Sequence, residues 1–82
     1  MDNKKLEALC REFTAAYSFL YEYGDNTPAY NAAVADFDKK VKNKRSKFYK
    51  MVCSFIEFRQ DIISSDREAA AFMIAYTKLF AA

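Results

Sequence analysis

Histidine and tryptophan are absent from this sequence, and glycine and proline each occur once in 82 residues. Histidine is the commonest general base and the commonest protein ligand of transition metals, so its absence removes the usual starting point of a catalytic or metal site. A single glycine also excludes a glycine-rich phosphate-binding loop. We therefore expect a protein that is not an enzyme and that holds no cofactor or metal.

Long apolar runs and a disulfide framework are absent as well. The longest uncharged apolar stretch, residues 69–76, is far shorter than the ~20 residues that a membrane span needs. Charged residues interrupt the stretch from Met1 to Phe13, which therefore does not have the pattern of a signal peptide. Two cysteines, Cys10 and Cys53, are too few for a disulfide framework. The sequence predicts a cytoplasmic protein with reduced thiols and no membrane contact.

Aromatic and helix-forming residues dominate what is present. The chain is 52% hydrophobic and contains 8 Phe and 6 Tyr, far more apolar side chain than a disordered segment carries. The one glycine and the one proline both fall in residues 24–28, and the rest of the chain permits helix. We predict an all-α protein with a single helical domain over residues 1–82.

Three helices are predicted, over residues 3–23, 28–63 and 66–81. Gly24 is expected to end the first helix in a left-handed conformation, and Thr27 is expected to cap the second. Ser65 and Glu68 have the spacing of a capping box at the start of the third. In the first helix, apolar residues recur every three or four positions and share one face. These residues are Leu6, Leu9, Cys10, Phe13, Tyr17, Leu20 and Tyr21.

The second helix is predicted to be continuous because its apolar residues keep one helical phase on both sides of residues 42–47. A loop would preserve that phase only by accident, so we expect one central helix of roughly 50 Å. The alternative is a four-helix bundle with a break near residues 43–46, which contain Asn43 and Ser46. The residues of this apolar stripe are Tyr30, Val34, Phe37, Val41, Phe48, Val52, Phe55 and Ile62.

A basic segment occupies residues 39–50 of the predicted long helix. It holds seven of the 13 Lys and Arg residues, and no acidic residue occurs between Asp38 and Glu57. One interpretation is a turn of helix that no other helix covers and that water solvates. The other is a surface that contacts an anionic partner, including nucleic acid. The candidate contact residues are Lys39, Lys40, Lys42, Lys44, Arg45, Lys47 and Lys50.

Each predicted helix also carries a second apolar strip that a three-helix layer would leave exposed. So many aromatic side chains are difficult to bury in so small a domain, and we expect some of them to form an interface. The alternative is that they complete an ordinary core. The candidate interface residues are Phe19, Tyr23, Ile56, Phe58, Ile63 and Ile74.

The sequence thus predicts a small protein that acts by binding. The first hypothesis is a protein-binding module that uses its aromatic helix faces and the basic segment, with a homodimer as the favoured assembly. By analogy of size alone, such chains serve as inhibitors, adaptors, accessory subunits or phage-encoded antagonists of host systems. The alternative hypothesis is a subunit that contacts nucleic acid through Lys39 to Lys50.

Overall fold

The computed structural model describes residues 3–80, and the fold is all-helical. It confirms the four-helix alternative, so the predicted three-helix form with one helix over residues 28–63 is wrong. The predicted last residue of the final helix, 81, lies outside the described residues. The elements are α1 (Asn3–Phe19), a π-helical turn (Leu20–Gly24), α2 (Pro28–Val41), α3 (Lys47–Arg59) and α4 (Asp66–Phe80).

Local hydrogen bonds specify the break between α2 and α3. The Asn43 side-chain oxygen accepts a hydrogen bond from the backbone N–H of Arg45 at 3.1 Å, which closes a turn. The Ser46 hydroxyl oxygen then accepts from the backbone N–H of Tyr49 at 3.0 Å, and its O–H donates to the Asn43 carbonyl at 2.8 Å. Ser46 is therefore the N-cap of α3, and the chain reverses where a continuous helix would have run on.

A left-handed residue ends α3 early. Gln60 has φ of 57°, and its N–H and that of Asp61 donate to the carbonyls of Glu57 and Ile56 at 3.3 Å each. This is a Schellman ending made without glycine. Because the helix stops at Arg59, Ile62 leaves the predicted apolar stripe and becomes exposed.

The π-helical turn changes the phase of the chain after α1. Its wider turn buries Leu20 and exposes Tyr21, which the helical periodicity assigns to the buried face. Gly24 does not have a positive φ, and the left-handed residue here is Asn26, with φ of 65°. A Cβ at position 24 would lie 2.6 Å from the Leu20 Cδ2 atom, so a larger residue here would make the buried Leu20 side chain shift.

The central helix of the fold is α4. It packs against α1 on one side and α2 on the other, and its small residues let the helix backbones approach closely. Its alanines Ala69, Ala70, Ala71 and Ala75 are all buried. The third helix lies across this layer, because Phe48 near its start contacts Phe37 of α2 and Phe55 contacts Phe13 of α1.

Aromatic rings from α2 and α3 meet around Phe72 of α4, whose side chain is 0% exposed. The ring centroid of Phe72 lies 5.9 Å from Phe37, 5.6 Å from Phe48 and 5.1 Å from Phe55. All three pairs are close to edge-to-face, the arrangement that the charge distribution of the rings favours. Tyr76 extends the cluster along α4 toward Phe80.

These contacts are incompatible with an unbroken second helix. Phe37 and Phe55 are eighteen residues apart, which is about 27 Å along a continuous helix. Both rings nevertheless lie within 6 Å of the Phe72 ring. The turn at residues 42–46 is what lets α2 and α3 approach the same residue of α4.

We expect Phe72→Ala to destabilise the fold by about 3–5 kcal/mol, because it removes a fully buried ring that joins α4 to both α2 and α3. Urea unfolding followed by circular dichroism measures the change. Phe58→Ala is the matched control, since that ring is 40% exposed and its loss should cost no more than about 0.5 kcal/mol. Equal effects of the two substitutions would contradict the packing around Phe72.

The helix break gives a second prediction. Ser46→Ala removes the cap of α3 and should lower the free energy of unfolding by about 1 kcal/mol. Ser18→Ala, at an exposed position in the last turn of α1 where the chain continues as a π-helical turn, is the control and should be neutral or slightly stabilising, because alanine is the better helix former. If Ser46→Ala raised stability as Ser18→Ala does, residue 46 would lie inside a helix instead of capping one.

Candidate binding surfaces

Three aromatic side chains are exposed where α1 ends, and together they form what we call the aromatic surface. Phe19 is 60% exposed, Tyr21 67% and Tyr23 71%. The rings of Phe19 and Tyr23 contact each other, with centroids 5.6 Å apart. Among the other described aromatic residues only Phe58 is exposed. The structure therefore brings together two of the predicted interface residues, Phe19 and Tyr23, while Tyr21 is exposed in the same turn and contacts Arg67.

Arg67 of α4 fixes this end of the molecule. Its Nε donates to the Asp25 carboxylate at 3.1 and 3.2 Å, and its Nη2 donates to the same carboxylate. The guanidinium carbon lies 4.8 Å from the Tyr21 ring centroid and 5.5 Å from that of Tyr17. The cation therefore holds Tyr21 in place over a bidentate ion pair. Forty-two residues separate Arg67 from Asp25, and no local pattern in the sequence signals this pairing.

The ion pair changes the acidity of both partners. Hydrogen bonds from Arg67 lower the pKa of the Asp25 carboxyl below its usual range, and the same bonds raise the pKa of Arg67. Both side chains are therefore charged in the folded protein at neutral pH.

The remaining predicted interface residues do not join the aromatic surface. Ile56 and Ile63 are half-buried and pack against the core, which places them in the ordinary-core alternative. Phe58 and Ile74 are each 40% exposed on separate faces. Phe58 lines a shallow groove between α1 and α3, and Ile74 lines one between α2 and α4. They are isolated apolar residues and not parts of one patch.

The basic segment lies at the opposite end of α2 from the aromatic surface. This helix of 14 residues begins at Pro28, and its length separates the two surfaces by about 21 Å. The break gathers the seven predicted contact residues around one turn instead of winding them around a long helix. All seven are exposed: Lys39, Lys40, Lys42, Lys44, Arg45, Lys47 and Lys50. The only ion pair they make within the described residues joins Lys40 to Asp36 at 3.3 Å.

The reactive side chains lie apart from one another. Cys10 is half-buried in α1, and burial raises the pKa of its thiol, which keeps it protonated at neutral pH. Cys53 is exposed and forms a side-chain hydrogen bond with Tyr49, which raises the pKa of the tyrosine hydroxyl. Over residues 3–80, no group of three or more Cys, Asp or Glu side chains is placed to hold a metal ion.

Comparisons with known proteins assign no function to these surfaces. No family model, no curated protein and no solved structure matches the chain. Among the helices of residues 3–80, none combines the length and the apolar character that crossing a bilayer requires.

The Asp25–Arg67 pair predicts how acid weakens the fold. Because the folded-state pKa of Asp25 is lowered, its stabilising effect is fully present above the unfolded aspartate pKa of about 4 and is lost as pH falls through the lower folded value. Asp25→Asn should therefore be less stable than the wild type at neutral pH, and the difference should narrow toward about pH 2. Thermal melts across this range measure it, and a difference that stayed constant with pH would contradict the assignment.

Proposed function

We propose that this protein is a non-enzymatic module that binds another protein through the aromatic surface. The observation that supports the proposal is the exposure of Phe19, Tyr21 and Tyr23 within five consecutive residues, with the Phe19 and Tyr23 rings in contact, in a chain that packs most of its other rings into or against the core. Such a module would act as an inhibitor, adaptor or accessory subunit. We also propose that it is located in the cytoplasm. A phage-encoded antagonist of a host system is one form that such an inhibitor could take.

The chemistry of the aromatic surface suits a protein partner. Aromatic residues are enriched at protein interfaces, and a few of them commonly supply most of the binding free energy. Tyr21 is held by Arg67, and the Phe19 ring rests against Tyr23, so less conformational entropy is lost on binding. Glu22 is exposed within the same turn and adds a negative charge to the surface. A partner with an apolar groove and a basic rim would therefore match it.

The size of the surface favours a concave partner. The three side chains together expose about 400 Å², since each large aromatic can bury roughly 150–250 Å². A stable interface of standard size buries about 800 Å² on each partner. A groove could enclose all of this area and reach the rest from surrounding residues, whereas a flat contact would cover only part of it.

The predicted homodimer depends on a flat layer of helices that exposes Ile56 and Ile63. In the folded chain both residues pack against the core. A different protein is therefore the partner we propose. A second copy of the chain is the competing occupant of the aromatic surface, and the mass in solution distinguishes the two.

We expect Phe19→Ser combined with Tyr23→Ser to abolish partner capture while changing stability by no more than about 1 kcal/mol, because both side chains are exposed. The assay compares tagged wild type and variant in pull-downs from host lysate at high salt, where an aromatic interface persists and ionic contacts weaken. Light scattering on a sizing column should give a monomer for both.

Phe58→Ser is the matched control, since it removes an exposed aromatic ring from a different face. The proposal requires that this variant capture the same protein as the wild type. Loss of capture with Phe58→Ser alone would move the interface to α3. A dimeric wild type that becomes monomeric on changing Phe19 and Tyr23 would make a second copy the partner.

A further inference from the structure

We propose that the basic segment is a second, independent binding surface, which takes the phosphate backbone of duplex nucleic acid. It lies at the far end of α2 from the aromatic surface and shares no residue with it. The inference does not depend on the protein-binding proposal. It rests on the number of free cations, on their position at a helix start and on what is missing around them within the described chain.

The cations of the basic segment are available to a ligand. The last turn of α2 presents Lys39 and Lys40, the connecting turn presents Lys44 and Arg45, and α3 begins at Lys47. All of these side chains are exposed, and only Lys40 is engaged in an ion pair within residues 3–80. Phosphates spaced along a duplex can contact several cations of the basic segment at once.

Stability of the fold accounts for only some of these cations. Lys39 and Lys40 lie in the last turn of α2, where positive charge is favourable. At the start of α3 the preference is reversed, yet this first turn holds Lys47 and Lys50 and no acidic residue. Positive charges that oppose a helix dipole weaken the helix, and a bound phosphate would remove that penalty. Helix stability therefore does not explain Lys47 and Lys50, and we attribute them to binding.

The composition of the basic segment distinguishes nucleic acid from a protein or a membrane. Lysine is depleted at protein interfaces, which need apolar anchors at their centre. Within residues 39–50 no large apolar side chain is exposed, and Phe48 is buried in the core. A surface helix that binds membranes likewise inserts an apolar face beside its cations. Lysines without an apolar anchor are typical of contacts to a phosphate backbone.

The same residues favour a duplex over a single strand. Proteins that bind single strands stack bases on exposed aromatic rings. Phe48 is buried and Tyr49 is half-buried, so neither ring is exposed as a stacking platform. Six of the seven cations are lysines, which act as point charges and contact phosphates without reading base edges. The binding should therefore be independent of sequence.

Fluorescence anisotropy with a labelled duplex DNA of mixed sequence tests the proposal. The full chain should bind in the micromolar range at about 50 mM salt, and log K should fall with log salt with a slope of about −3 to −5. Lys47→Glu should weaken binding by about tenfold and reduce the slope by about 1. The same substitution should raise the melting temperature, because it places an acid at the start of α3.

Arg11→Glu is the matched control, because it also reverses one exposed cation and also lowers the net charge from +2 to 0. It should change the affinity less than about twofold. Equal losses for Arg11→Glu and Lys47→Glu would overturn the site, as would the absence of wild-type binding at low salt. Lys44→Glu with Arg45→Glu gives a second variant outside α3, which should fold as the wild type does and lose binding.

Competitors separate the sources of negative charge. Unlabelled duplex DNA or duplex RNA should displace the labelled probe, and whichever does so better identifies the preferred duplex. Polyglutamate is compared with duplex DNA at equal concentrations of carboxylate and phosphate. If polyglutamate displaced the labelled probe as well as duplex DNA does, the result would overturn the proposal in favour of an acidic protein. Tighter binding to phosphatidylserine vesicles would do so in favour of a membrane surface. A single strand that binds more tightly than the duplex would overturn the duplex assignment.

Discussion

The packing of helices around the Phe72 ring is the constraint on which the rest of the structure depends. A chain of 82 residues has little volume in which to bury apolar surface, so its largest side chains must share one centre. Phe37, Phe48 and Phe55 reach that centre from two different helices. They can do so only because the chain turns at residues 42–46, and α4 can occupy the middle only because its alanines let α1 and α2 approach.

The two proposed binding surfaces follow from this arrangement. Rings that point toward α4 enter the core, Phe19 and Tyr23 lie off the buried face of this segment, and the π-helical turn exposes Tyr21 as well. The turn that brings α3 back to Phe72 is also where the basic residues gather. Aromatic side chains without neighbouring lysine suit a protein partner, and lysines without an exposed ring suit phosphate. The chain thus carries two surfaces of different chemistry about one helix length apart.

The helix content, the start of the last helix and the exposure of Phe19 and Tyr23 could all be predicted from the sequence. Hydrophobic periodicity does not predict the break at Asn43 and Ser46, because Val41 and Phe48 share a helical phase. The local signal for the break is Ser46, which is a strong N-cap residue. The exposure of Tyr21 and Ile62 could not be foreseen, since it follows from a π-helical turn and a left-handed Gln60. Long-range pairing between Arg67 and Asp25 leaves no local pattern at all.

The most direct test of this account is a nuclear Overhauser spectrum of the Phe72 ring with selectively labelled phenylalanines. The account predicts cross-peaks from Phe72 to both Phe37 and Phe55, whose ring centroids lie 5.9 and 5.1 Å away. In a continuous helix those two residues would be about 27 Å apart, so one ring could not contact both. Cross-peaks to Phe55 alone, with helical chemical shifts through residues 42–46, would contradict the four-helix fold and both surfaces derived from it.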